Sequence, residues 1–386
     1  MSGLYSLLHV GILPVTFGKA NSPMKKHCLQ LFSFILVANT LIAQSKPLRI
    51  GIVGLTHTHV HWLLGRADRG DVQIVGIVEP NEELAQRYAT QHGYNMAIVF
   101  TSMAEMIANS KPEAVAAFGT IYEHLEVVQT CAPLGIHVMI EKPLAVSFAH
   151  AKKMKLLADK HKIILLTNYE TTWYATNHKA YDIVHTDSAI GALRKVVVHD
   201  GHKGPKEIGV NKEFLDWLTD PVQNGGGAIT DFGCYGANLI TWLTKGEKPQ
   251  LVMALTQQIK PSIYPMVDDE ATILLQYPKM QGIIQASWNW PFNRKDMELY
   301  GESGTVFTDN RTEMRVRLEH DKTERKEILK ERPAPYDDPF ALFAAVVKKE
   351  ITLPAYDLSS LENNMIVMEI LEAAKRSAKT GKNVKL

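Results

Sequence analysis

His137-Val138-Met139-Ile140-Glu141-Lys142-Pro143 is a short β-like run that ends in a carboxylate, an ammonium and a proline. A helix capped by Ser147 follows it. In an open α/β sheet, a lysine just beyond the carboxyl end of a strand points into the crevice where such folds bind ligands. Pro143 fixes its own φ and restricts Lys142 before it, which places the lysine on a stiff turn. Taken alone, the same residues also describe a surface lysine in a loop. The surrounding chain decides between the two.

Upstream, strands alternate with helices. Leu48 to Val53 (LRIGIV) is an apolar run followed by Gly54 and a helix with Trp62, Leu63 and Leu64. Val72 to Val78 (VQIVGIV) ends at Glu79-Pro80, and Asn81 caps a helix with Glu82 and Glu83 in its first turn. Ile98 to Phe100, Ala114 to Phe118 and the run at 137–140 continue the series, and Ile163 to Leu166 ends it. Helical patterns lie between them at Met103 to Ser110 and Tyr122 to Leu134, the latter with Gly135 as its C-terminal stop. This alternation predicts a doubly wound parallel sheet of the Rossmann type over residues 46–166.

The turn after the first strand is where a dinucleotide fingerprint G-x-G-x-x-G belongs. The sequence reads Gly54-Leu55-Thr56-His57-Thr58-His59, so the first glycine alone remains. Glu79, 25 residues after Gly54, ends the second strand, where a carboxylate accepts from ribose hydroxyls and disfavours a 2′-phosphate. NAD is therefore preferred over NADP. His57, His59 and His61 alternate, but a turn entering a helix does not align all three, so no metal site is expected. Two readings of His57 and His59 stand open: donors to cofactor phosphates at the helix start, or plain packing.

Beyond residue 167 the pattern changes. A helix is expected from about Trp173 to His185 and a strand from Ala192 to His199, with His199-Asp200-Gly201-His202 in a loop after it. Gly225-Gly226-Gly227 precedes a helix from about Asp231 to Thr244. Period-two runs then follow at 251–259, 271–277, 281–289, 296–300 and 305–308, punctuated by Pro278, Gly301 and Gly304. They predict a large, open, mostly antiparallel sheet, the core of a second α/β domain over 167–386, closed by helices at about 339–349 and 359–380. Those last helices have the option of packing back on the first domain.

With 386 residues, 46% hydrophobic and 22% charged, the chain has material for two globular domains. A net charge of +1 and no basic tract argue against a nucleic-acid surface. Met24-Lys25-Lys26 followed by the apolar run Leu31 to Ala43 reads as a signal peptide within an N-terminal extension, 1–43, so export to a periplasm or beyond is expected. That run is too short for stable membrane insertion. Cys28 lies in the signal, and Cys131 and Cys234 have no zinc-like spacing.

Glu141-Lys142-Pro143 together with the glycine triplet and Asp231-Phe232-Gly233-Cys234-Tyr235-Gly236-Ala237-Asn238 resembles the Gfo/Idh/MocA oxidoreductases, relatives of glucose–fructose oxidoreductase and inositol dehydrogenase. Thr120 and His124 match a further family segment. The resemblance spans about residues 46–386 and implies an NAD(P)-binding Rossmann domain, a C-terminal domain with an open sheet and a homodimer or homotetramer built through that sheet. It assigns Lys142, Asp231 and Tyr235 to catalysis and Gly54, Thr56, His57, His59, Glu79, Thr120, His124, Glu141 and Lys142 to the cofactor. His199, His202 and Trp217 are weaker candidates for the substrate pocket. Many members carry histidine where Tyr235 stands.

A phenol is a poor base at neutral pH, and a neighbouring ammonium favours its ionised form. Lys142 beside Tyr235 is thus expected to form an acid/base pair for a secondary hydroxyl, or Lys142 to bind the substrate oxygen directly, with Asp231, one helical turn before Tyr235, orienting the sugar or the lysine. Three functions follow from this set: an exported sugar, polyol or glycoside oxidoreductase, a redox-neutral glycoside-cleaving enzyme on the same scaffold, or a sugar-binding relative that has lost its cofactor. The two missing glycines favour the last, and intact Lys142, Asp231 and Tyr235 favour the others.

Overall fold

Six short strands, each with nearly every residue withdrawn from water, make up the first domain. The computed structural model describes residues 46–386; the signal-peptide assignment at 24–43, the extension before it and Cys28 lie outside the described residues. The elements in order are β1 (Leu48–Val53), α1 (Val60–Leu64), β2 (Val72–Val78), α2 (Glu82–His92), β3 (Val99–Phe100), α3 (Met103–Ser110), β4 (Ala114–Ala117), α4 (His124–Cys131), β5 (His137–Glu141), α5 (Phe148–His161) and β6 (Leu165–Asn168). All pairings are parallel and the sheet order is β3-β2-β1-β4-β5-β6. Direction of winding reverses between β1 and β4, which places a ligand crevice at their carboxyl ends. The helices start where side chains satisfy their first amides: Asn81 accepts from Leu84 N–H, Ser102 from Glu105 N–H and Ser147 from His150 N–H. Helix α4 begins two residues later than the sequence suggests, because 121–123 form a turn instead.

The second domain enters through a one-turn 3₁₀ helix, Glu170–Trp173, and continues through α6 (Ala175–His185), β7 (Leu193–Gly201), α7 (Lys212–Leu218), α8 (Ala228–Asp231), α9 (Gly233–Leu243), β8 (Leu251–Gln257), β9 (Glu270–Gln276), β10 (Gln281–Ser287), β11 (Arg294–Gly301), β12 (Gly304–Thr308), β13 (Glu313–Leu318), β14 (Arg325–Ile328), α10 (Pro339–Val347), α11 (Leu361–Thr380) and β15 (Val384–Lys385). Nine strands form one sheet in the order β14-β13-β12-β11-β7-β10-β9-β8-β15, in which β7 and β10 pair parallel and all other neighbours antiparallel. Helices α9 and α11 cover one face, and every residue of α9 is buried. The other face leaves Met253, Leu255 and Leu274 exposed.

Three features differ from the sequence expectation. Residues 199–201 belong to β7 rather than to a loop, because their amides and carbonyls pair with both β10 and β11. The helix expected from Asp231 is interrupted at Phe232, which separates α8 from α9. Element α7 and the strands β13, β14 and β15 were not anticipated; the edge strands are short and charged, so their alternation is hard to see. The chain also returns to the first domain: Phe340, Phe343 and Ala344 of α10 pack in one apolar cluster with Leu48, Ile50 and Ile52 of β1.

Candidate active site

Lys142 follows β5 directly, and its bond to Pro143 is cis. Its ammonium is buried and hydrogen-bonds both the Asp231 carboxylate and the Asp231 carbonyl, the latter at 3.1 Å. The interruption at Phe232 explains the second contact: the Asp231 carbonyl accepts from Lys142 Nζ and Cys234 Sγ rather than continuing a helical ladder. The other Asp231 oxygen accepts from Trp288 Nε1 at 3.0 Å, so the carboxylate is fixed from two sides. Burial opposes the charge on each partner, and the opposite charge beside it overcomes that. The Lys142 pKa ends above the ordinary lysine value and that of Asp231 below the ordinary aspartate value.

Tyr235, on α9, does not form the expected pair with Lys142. The ammonium sits 5.2 Å from the ring centroid, a cation–π arrangement, and no hydrogen bond reaches the phenol among the described residues. Burial pushes the Tyr235 pKa well above 10, and the neighbouring carboxyls of Asp200 and Glu170 push the same way. Burial and these carboxyls both oppose ionisation of the phenol, and Lys142 makes its hydrogen bonds to Asp231 instead.

A second, half-buried lysine, which sequence reasoning missed, lies on the other strand of the site. Lys295, in β11, hydrogen-bonds Glu170 and stands 4.6 Å from the Tyr235 ring centroid. Burial raises the Glu170 pKa, but Lys295 more than reverses this and holds it at about 2. Asp200, opposite Lys295 in the β7–β11 register, is fully buried with neither carboxyl oxygen hydrogen-bonded among the described residues. Desolvation drives its pKa well above the usual value. Two residues on, His202 is held near pKa 4 by burial, and its Nδ1 accepts from Gly204 N–H at 2.9 Å. A cavity of about 600 Å³ opens here, lined by Glu170, Tyr174, His202 and Lys295 and, at its rim, Arg294 and Arg315.

His199 is buried and does not itself line this cavity, but it binds Asp296 at 2.9 Å and lies 3.1 Å from an Arg294 nitrogen, both of which do. Successive strand residues face opposite sides of a sheet, so Asp200 points away from His199. Expecting a loop at 199–202 hid this alternation; with the strand in view, Asp200 is the residue to choose.

At the dinucleotide turn, Gly54 has φ +80°, and a Cβ there would meet Gly119 N at 2.6 Å, so the one remaining glycine is required by both conformation and space. Glu79 accepts from Leu55 N–H and Asn81 N–H at the end of β2. A cavity of about 280 Å³ runs along Gly54, Pro80, Thr101, Gly119 and Thr120. The N–H groups of Thr56 and Thr58 have no hydrogen-bond partner among the described residues, and neither does the buried Nε2 of His124. Free amides at a turn, an acid at the ribose position and an orphaned imidazole nitrogen fit a dinucleotide.

His59 Nδ1 lies 2.8 Å from Glu141, whose other oxygen accepts from Asn168, so both Glu141 oxygens are engaged by protein. His61 turns away to His92, at 2.8 Å. His57, His59 and Glu141 bring donor atoms within 4.8 Å of one another, as do His199, Asp296 and Glu298; in the second set Arg294 already supplies the cation. Trp217, expected in the substrate pocket, instead donates through Nε1 to Thr56 Oγ1 at 3.1 Å and packs on His57 at the dinucleotide turn. Thr120 N–H is taken by Glu123.

Comparison with known proteins agrees with this geometry. Residues 48–169 match the model of the oxidoreductase family with an NAD-binding Rossmann fold, and residues 179–307 match the GFO/IDH/MocA C-terminal domain. The chain belongs to the Gfo/Idh/MocA family. Among curated Gfo/Idh/MocA relatives, trans-1,2-dihydrobenzene-1,2-diol dehydrogenase of Sus scrofa is 27% identical over 261 residues, 67% of this chain and 72% of that one. The Bos taurus enzyme of the same name is 28% identical over 60% of this chain and 65% of its own. Similarity to 1,5-anhydro-D-fructose reductase of Ensifer adhaerens is 24%, over 53% and 59%. The fold is shared with aldose-aldose oxidoreductase from Caulobacter crescentus (TM-score 0.74, 22% identity, 88% of this chain, 100% of that one). It is also shared with an inositol dehydrogenase homologue from Azotobacter vinelandii bound to NADH and myo-inositol (TM-score 0.74, 14% identity, 89% and 98%).

Proposed function

We propose that this protein is an exported NAD-dependent oxidoreductase that moves hydride between nicotinamide and a hydroxyl-bearing carbon of a sugar, polyol or glycoside. The observation that carries the reading is the buried Lys142–Asp231 pair, set beyond the carboxyl end of β5, with the Tyr235 ring between it and Lys295 of a polar cavity. Bound nicotinamide supplies or accepts the hydride. Glu79 would hold the adenosine ribose, the free amides of Thr56 and Thr58 the pyrophosphate, and Thr120 and His124 the neighbouring sugar. Glu79 favours NAD over NADP.

Lys142 Nζ holds the proton that the substrate oxygen needs. As a carbonyl becomes a hydroxyl, Nζ delivers that proton, and Asp231 keeps the lysine in place and charged beforehand. In oxidation the hydroxyl proton passes to Nζ as Nζ hands one to Asp231. The low basicity of Asp231 makes this the harder direction at neutral pH. Tyr235 serves as a neutral hydrogen-bond donor, and Asp200, Lys295 and His202 present donors and acceptors for ring hydroxyls. Both curated relatives carry names of carbonyl–hydroxyl chemistry, which supports the reaction type.

Export rests on Lys25-Lys26 and the apolar run to Ala43, and N-terminal sequencing of the mature protein would refute it by finding residues before 43. Self-association rests on the exposed apolar sheet face and is read by sedimentation, a monomer at micromolar concentration counting against it. The catalytic reading is tested by offering aldoses, polyols and glycosides with NAD and following reduced nicotinamide. Turnover of at least one is expected; no reduction across all three classes, in protein that binds NAD, would overturn it.

A further inference from the structure

Between β7 and α8 the chain makes a long excursion; its first part is held by Lys260 and Tyr264 of its own domain, and residues 211–223 reach the first domain. Asn211 Nδ2 donates to Tyr88 OH at 2.9 Å, and Glu213 pairs with Arg87, both on α2. Phe214 and Trp217 of α7 pack on His57 with ring centroids 4.8 and 5.7 Å away, and Trp217 Nε1 holds Thr56. Past α7, the carbonyl of Gln223 accepts from Tyr122 N–H at 3.0 Å in the loop after β4. One segment thus touches the helix after β2, the turn after β1 and the loop after β4. The turn after β1 and the loop after β4 border the groove holding Gly54, Pro80, Gly119 and Thr120, and Pro80 leads into the helix after β2.

We infer that residues 211–223 form part of the dinucleotide site itself: a strap from the C-terminal domain that closes the outer side of the cofactor groove and keeps the dinucleotide bound from one turnover to the next. The inference rests on the dinucleotide reading of that groove. Two details support it. Thr56 stands where a glycine is usual in such a turn, and His57 beside it is packed by Phe214 and Trp217, so the strap grips a side chain that replaces bare backbone. Phe214 and Trp217 of α7 are themselves buried, so their hold on the turn is a packed contact rather than a surface one. A held dinucleotide suits a protein acting where free NAD is scarce, since reduction and reoxidation then take place on the same bound molecule with two successive substrates.

The test needs no substrate. Wild-type protein is loaded with NAD, passed over a desalting column and denatured, and the released nucleotide is counted; release of NADH is followed separately by its fluorescence. Wild type should retain close to one nucleotide per chain. Trp217→Ala should release it about tenfold faster, an effect that falls on the dissociation rate. Arg87→Gln, an exposed change that cuts the strap's anchor without touching its packing, should release it several-fold faster while circular dichroism stays unchanged. Release at the wild-type rate from a folded Trp217→Ala protein and from Arg87→Gln would overturn the strap and leave the dinucleotide site standing. Wild-type protein that binds no added NAD or NADP would remove both.

Discussion

At the scale of single residues, the site is a set of charges that do not all balance. Lys142 pairs with Asp231 and Lys295 with Glu170, but buried Asp200 is left without a hydrogen bond. Its folded pKa lies above the unfolded value of about 3.9. As pH rises past that value the unfolded chain loses the proton first, which favours unfolding, so Asp200 subtracts stability at pH 7. Asp200→Asn should therefore raise stability at pH 7 by about 1–3 kcal/mol, with little gain at pH 3, measured by denaturant unfolding at both pH values. Equal or lower stability at pH 7 would mean that the carboxylate has a partner. Glu141 and Glu170 work in the other sense: with folded pKa values of about 2, their contribution is present at neutral pH and lost as pH falls from the ordinary glutamate range toward 2.

At the scale of elements, the Rossmann half could be read from sequence because its signals are local. Apolar runs, caps at Asn81 and Ser147, and a stop at Gly135 each act within a few residues. Lys142 and Asp231 were legible as motif positions, but their contact, 89 residues apart, was not. Lys295 carried no motif, and Asp200 was masked by taking the end of β7 for a loop. The glycines of the second motif are set by packing instead. Gly236 of α9 lies against β10, where a Cβ would come within 2.5 Å of Ile284 Cγ2 and 3.0 Å of its Cβ. Gly236→Ala should cost about 1–3 kcal/mol by overpacking and should lower activity further by tilting Tyr235, one residue before it. A thermal melt within a degree of wild type would show that Ile284 can give way.

At the scale of the molecule, the two domains share their parts. Helix α10 packs into the first domain's core, α7 holds the turn after β1, and the Lys142–Asp231 pair joins the end of β5 to the start of the second motif. The site therefore exists only when both domains are in place, and its proton chemistry turns on one side chain. The most direct test uses protein already carrying NAD, wild type and Lys142→Met side by side, mixed in single turnover with the substrate that wild type uses best. Nicotinamide reduction is read by absorbance and bound nucleotide by mass. The account predicts a reduction rate lowered at least 10³-fold in Lys142→Met, within the range for loss of a general acid/base, with the nucleotide still bound. Reduction in that variant at the wild-type rate would contradict it.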